Sequence, residues 1–163
     1  MKIIGSVKED FTKEQRISIT PETTKKLINL NFSIFLENNY AEHLGIADEE
    51  YKNNNVNFCS SAKEVLEKSE IILKVNCPSK NEINLIKDKS ILIGQFDILS
   101  DKELINKLVE KKVKIFSLNL LPRITRAQSM DVLSSQANLA GYRAVIESVE
   151  EFGKAVPMMM TAA

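Results

Sequence analysis

Short apolar runs recur along most of this chain, separated by stretches that are polar or amphipathic. "KIIGSV" at 2–7, "FSIFLE" at 32–37, "VNFC" at 56–59, "IILKV" at 71–75, "SILIG" at 90–94 and "VKIFSL" at 113–118 are brief and nearly all apolar. Runs of that kind predict strands covered on both faces. The segments between them read as helices. In "TPETTKKLINLN", Thr20 suits an N-cap and Pro21 the first helical position, where a missing N–H costs nothing. "DEEYKNNN" predicts a short helix that ends in a polar turn. Three further helices open on Ser-x-x-Glu, at Ser61–Glu64, Ser79–Glu82 and Ser100–Glu103. In such a capping box the hydroxyl and the carboxylate satisfy orphan backbone donors reciprocally. Helices alternating with buried strands predict a three-layer α/β sandwich: a mostly parallel, doubly wound sheet of about six strands, flavodoxin-like or Rossmann-like.

The rhythm changes after residue 118. "PRITRAQSMDVLSSQANLAGYRAV" is poor in lysine, rich in small residues, and mixes Arg, Gln, Asp, Ser and Asn with apolar positions at helical spacing. Thr125 and Gln128 again have capping-box spacing, so one long helix is expected from there to about Phe152. Met130, Leu133, Ala137, Ala140 and Ala144 recur along it at steps of three or four, and the alanines with Gly141 permit close approach of another element. Pro157 is expected to stop the helix. The predicted organisation is an α/β domain over 1–124, a long connecting helix over 125–156 that reads as a strut leading out of the domain, and the start of a linker over 157–163.

Composition narrows the function more than the fold. Lys plus Arg and Asp plus Glu both total 22, for zero formal net charge, so nothing marks a nucleic-acid surface. With two cysteines, Cys59 and Cys77, outside any CxxC pair, and one histidine, His43, the donor set for a zinc site is too small. Partly buried reduced thiols and a surface histidine are expected instead. No apolar run approaches the roughly 20 residues of a spanning helix. The five glycines, Gly5, Gly45, Gly94, Gly141 and Gly153, are too scattered to cradle a phosphate. The architecture is therefore of a nucleotide-binding kind without the loop that holds a pyrophosphate.

Candidate chemistry gathers at 122–135. Arg123 precedes the expected cap and Asp131 falls in the expected second turn, so the two could pair across the helix start. Gln128 has two competing tasks: to fold back on the Thr125 N–H as a cap, or to project outward to an amide on a ligand. Ser134 and Ser135 are either small packing residues or hydrogen-bond donors.

"PRITRAQSMDVLSSQANLAGYRAV" closely resembles the corresponding segment in the NAD-binding alpha subunit of proton-translocating NAD(P) transhydrogenases. "QRISITPE" at 15–22, "SEIILKVNCP" at 69–78 and "PMMMTAA" at 157–163 are also similar to that family. The resemblance implies a first domain that forms one wall of a cleft, against the nicotinamide. A second, glycine-loop domain, absent from this chain, would hold most of NAD(H), and NADP(H) would sit on a partner component. It further implies a homodimeric subunit, partners that include membrane components, and a cytoplasmic place at the inner membrane as a peripheral part of that complex. Hydride would pass directly from NADH to NADP+, coupled to proton translocation, and this chain alone would be inactive. By position, the resemblance assigns Arg123, Gln128, Asp131 and Ser134, with Ser135 beside them, to the nicotinamide side. Gln128 and Asp131 are then the expected catalytic pair.

Arg16 and Lys74 match positions that bind the keto acid in alanine dehydrogenases, whose N-terminal domain is similar. A forked guanidinium and a point charge suit a carboxylate and a carbonyl. The dehydrogenase pattern also needs a histidine shortly before "DKEL", and here Asp97 stands in that place. Imidazole exchanges protons near neutrality and an ordinary aspartate does not. Hydride transfer between two nicotinamides needs no side-chain proton, so the substitution favours a transhydrogenase. Arg16 and Lys74 then read as a vestigial pocket kept as scaffold. An alanine dehydrogenase fragment and a non-catalytic assembly module are the alternatives.

Overall fold

The structure is a computed structural model that describes residues 2–97 and 102–154. The chain divides into two compact units, Met1–Leu120 and Leu121–Ala163. The first contains strands β1 (Lys2–Ser6), β2 (Phe32–Glu37), β3 (Asn57–Cys59), β4 (Ile71–Leu73), β5 (Ile91–Gly94) and β6 (Lys114–Ser117). They form one six-stranded sheet in the order β3-β2-β1-β4-β5-β6, with every neighbouring pair parallel. Helices α1 (Pro21–Asn29), α2 (Asp48–Lys52), α3 (Ala62–Lys68), α4 (Lys80–Leu85) and α5 (Lys102–Glu110) connect them. This is the predicted doubly wound sandwich. The strand order reverses between β1 and β4, which makes that junction the topological switch point.

The caps show how the sequence sets these elements. Thr20 Oγ1 accepts from the Thr23 N–H at 3.2 Å, and Pro21 follows in the first turn of α1. The Ser79–Glu82 box closes in both directions, at 3.3 and 2.7 Å. At α3 only half of the expected box forms. Ser61 accepts from the Glu64 N–H, but the Glu64 carboxylate takes the Ser60 N–H and the Lys68 ammonium instead. The box expected at Ser100–Glu103 lies outside the described residues.

Two buried clusters sustain the sandwich. One contains Val65, Leu66, Ile72, Ile83, Leu92 and Leu108; the other contains Ile4, Ile19, Ile34, Leu36, Tyr40 and Tyr51. The sheet edge departs from the expectation of cover on both faces: Phe116 on β6 is 56% exposed. Gly5 marks a close approach, because a Cβ there would lie 1.9 Å from Ser69 Oγ at the end of α3. The Tyr40 hydroxyl collects the segment before α1, accepting from the backbone N–H groups of Ser18 and Ile19 and bonding Ser6 Oγ at 2.8 Å. His43, expected at the surface, is half-buried. Its ring stacks on Phe11 with centroids 3.7 Å apart, and Nε2 bonds the Gln15 carbonyl oxygen at 2.8 Å. Cys59 is buried and Cys77 half-buried.

In the second unit, the helix expected from Thr125 is in two pieces. Thr125–Met130 forms a 3-10 turn, and α6 (Val132–Phe152) starts only afterwards. The reason is local. Asp131 takes φ −76° and ψ 86°, outside the helical region, and caps α6 with its own side chain. Aspartate is among the strongest N-cap residues, ahead of threonine. The helix ends at Gly153, which adopts φ +59° as a left-handed cap. That stop comes before Pro157, which lies outside the described residues. None of the α6 side chains is buried, and a Cβ at Gly141 would meet nothing within 4 Å.

Candidate functional site

A hollow of about 330 Å³ opens within the second unit, and one continuous stretch builds it. Ile124 is extended, at φ −123° and ψ 158°, the 3-10 turn follows, and Asp131 turns the chain into α6. Pro122, Arg123, Ile124, Thr125, Ala127, Gln128, Asp131 and Ser134 line it. Ala127 is the buried residue of the turn, so the polar side chains around it face outward. Four of the five sequence-predicted positions therefore come together: Arg123, Gln128, Asp131 and Ser134. Ser135 does not line the hollow. Its Oγ donates to the Val132 carbonyl oxygen at 3.1 Å within the helix.

Asp131 and Ser134 form a closed pair. The Ser134 N–H donates to Asp131 Oδ1 at 2.9 Å and the Ser134 hydroxyl to Oδ2 at 2.6 Å. Those two bonds hold the Asp131 carboxyl below the usual carboxylate range, and the Arg123 charge adds to them through space. The predicted Arg123–Asp131 ion pair does not form: each Asp131 oxygen bonds Ser134, and Arg123 acts on the carboxylate only through space. The predicted Thr125–Gln128 box is also absent: the turn is preceded by Ile124, with no side-chain cap bond. Gln128 is exposed, and its carboxamide is not engaged in capping. Chemically, the hollow offers a guanidinium, a carboxamide, a threonine hydroxyl and a carboxylate held ionised. A carboxylate so held is a poor base near neutrality, so these groups suit binding and orientation rather than proton transfer. Thr125 escaped the sequence reading because its hydroxyl was assigned to capping.

Arg16 and Lys74 are in the first unit, and both are engaged by internal carboxylates. Arg16 forks onto Glu14 at 2.8 and 2.7 Å. Lys74, 5% exposed, reaches Glu82 at 2.6 Å and Glu9 at 3.8 Å. Neither carboxylate on the loop before α1 was singled out in the sequence. Asp97 is exposed, just beyond β5. Among the described residues no group of His, Cys, Asp or Glu could hold a metal ion, and no helix is long and apolar enough to cross a membrane.

The first unit is a doubly wound parallel sheet with connecting helices, and the second carries a polar hollow at the start of a long helix. Residues 5–140 match the family described as alanine dehydrogenase/PNT, N-terminal domain, and the chain belongs to that family. It is 38% identical over 165 residues to the first part of the NAD(P) transhydrogenase subunit alpha of Rhodospirillum rubrum, covering 98% of this chain and 43% of that protein. It is similar to the crystal structure of transhydrogenase from Sinorhizobium meliloti, with a TM-score of 0.88 and 39% identity over 99% of this chain and 48% of that one. The alanine dehydrogenase of Methanococcus maripaludis is a more distant relative, 28% identical over 139 residues. The chain thus spans less than half the length of the transhydrogenase relatives it matches.

Proposed function

We propose that this chain is the N-terminal domain of the NAD(H)-binding alpha subunit of a proton-translocating NAD(P)+ transhydrogenase. The observation that carries this reading is the hollow at 122–134, which gathers Arg123, Gln128, Asp131 and Ser134 in a chain 38% identical to a transhydrogenase alpha subunit. The fit to a nicotinamide is good at one end only. The exposed carboxamide and guanidinium can hydrogen-bond a flat amide-bearing ring, and the volume is at the low end for a drug-sized ligand. In this reading a second domain of the same subunit holds the rest of NAD(H), and a partner component presents NADP(H); the scatter of the five glycines in this chain supports that division.

In this reading NADH, when bound, supplies the hydride that passes to NADP+. Gln128 holds the ring amide or the adjoining ribose. Asp131 fixes the start of α6 and, with Ser134, keeps a negative group where Arg123 can swing to it. Arg123 then sets the tilt of the ring. Holding two reacting carbons in near-attack geometry is a large part of such catalysis. Engagement of Arg16 and Lys74 by Glu14, Glu82 and Glu9 supports a scaffold role for both and disfavours the amino-acid dehydrogenase alternative.

The test is a Gln128→Ala change in the full-length alpha subunit, read as single-turnover hydride transfer with NADH and NADP+. The rate falls roughly 10²-fold, the loss associated with misplacing a reacting group by about an ångström, while the unfolding midpoint stays in place. An unchanged rate removes Gln128 from the reaction.

A further inference from the structure

In a 3-10 turn the side chains at i and i+3 eclipse one another. Thr125–Met130 is such a turn, so Thr125 and Gln128 stand one above the other on the same side of it. Both line the hollow, whereas Arg126 and Ser129, the next eclipsed pair, do not. Ala127 anchors the arrangement. It is 5% exposed, and its N–H donates to the Ile124 carbonyl oxygen at 2.9 Å. A buried neighbour and a closed backbone bond thus fix the place of Thr125 without help from its own hydroxyl. That hydroxyl caps nothing and has no hydrogen bond among the described residues.

The polar groups around the hollow differ in what they still offer. Arg123 carries only donors. Each Asp131 oxygen already accepts from Ser134, and the Ser134 N–H and hydroxyl proton are both spent there. Thr125 and Gln128 are the two lining side chains that combine a donor with an acceptor and have committed neither. A carboxamide on a flat ring makes a matching demand: its carbonyl oxygen accepts and its NH2 donates. Donors for that oxygen are in surplus, at Arg123 and Gln128. Uncommitted acceptors for the NH2 are scarce, and Thr125 Oγ1 supplies one on a turn whose backbone is already closed.

We propose that Thr125 is a specificity-determining residue of the hollow: its hydroxyl oxygen accepts from the carboxamide NH2 of the nicotinamide ring, beside Gln128. This rests on the reading that the hollow takes the nicotinamide. Gln128 offers a donor and an acceptor on one flexible side chain, so by itself it can bond either end of an amide. With Thr125 on the nitrogen, the donors at Gln128 and Arg123 are left to the carbonyl oxygen. The carboxamide then has one orientation, and the ring plane follows it. Thr125 thereby distinguishes an amide-bearing ring from one that lacks the NH2.

The test uses the full-length alpha subunit with its NADP(H)-binding component and two hydride donors. One is NADH; the other is its acetylpyridine analogue, in which a methyl group replaces the amide nitrogen. Thr125→Val keeps the β-branched shape and removes the hydroxyl. Its kcat/KM for NADH is expected to fall about 3- to 10-fold, the worth of one neutral hydrogen bond, while that for the analogue stays level. Thr125→Ser, which keeps a hydroxyl, retains the wild-type preference for NADH. A loss of folded protein lowers both donors alike, so the ratio between them reads the contact and not stability. An unchanged ratio in Thr125→Val overturns the assignment, as does a Thr125→Ser enzyme that loses the preference equally. Gln128→Ala in the same assay separates the two proposals. If it slows neither donor, the hollow is not the nicotinamide site and the proposed function falls with it. If it slows both while Thr125→Val leaves the ratio unchanged, only the Thr125 assignment falls.

Discussion

Both units place polar groups beside apolar ones, and they treat them in opposite ways. In the first unit Ser6 bonds Tyr40 under cover, and buried Lys74 pairs with buried Glu9 and half-buried Glu82. In the second, Arg123, Gln128 and Thr125 stand exposed around a hollow, and only the Asp131–Ser134 pair is closed. Polar groups satisfied internally hold a fold together. Groups left open retain hydrogen-bonding capacity for a ligand.

Breaking the covered side has the larger effect. Lys74→Ala leaves the buried Glu9 and the half-buried Glu82 facing no ammonium and lowers stability by about 3–5 kcal/mol, read as the urea midpoint at neutral pH. A midpoint that hardly moves shows the cluster to be solvated. Leu92→Ala, at the centre of the first core cluster, lowers stability by about 2–5 kcal/mol. If Leu92→Ala is neutral, β5 is not a central strand.

The exposed side answers with smaller, local effects. Asp131→Ala removes the cap, and the first turns of α6 lose helicity, measured by residue-level chemical shifts, while the sheet unit unfolds as before. Because the Asp131 carboxyl is held low, its cap is intact above the unfolded carboxylate value and fades as pH falls through the folded one. Asp131→Asn keeps a cap that is indifferent to acid. Equal fraying of wild type and Asp131→Asn at low pH sinks this account. The least effect belongs to Leu139→Ala on α6, 59% exposed, which changes stability by less than about 0.5 kcal/mol. A larger loss in this chain means that α6 packs against something.

The sheet was legible because strand, helix and cap each leave a local mark. "SILIG" and the Ser79–Glu82 box need no tertiary information to be read. The start of α6 was misread because two capping patterns overlap. Thr125–Gln128 and Asp131–Ser134 compete for the same helix, and only backbone geometry settles which one caps it. Positions 123, 128, 131 and 134 were legible as a set through family likeness, but their mutual bonding was not. The spacing suggested Arg123 with Asp131, whereas Ser134, three residues on, reaches Asp131 first. The Glu9–Lys74 contact left no trace, since 65 positions of sequence and a strand crossing separate the partners.

The Tyr40 oxygen has a reach that its place in the chain conceals. It sits beyond β2, yet it fastens Ser18 and Ile19, two and three residues after Arg16. Trimming that one atom, as in Tyr40→Phe, would unmoor the segment carrying Glu9 and Arg16 without touching either residue, so sequence drift at a distant phenol can retune the charges beside the sheet.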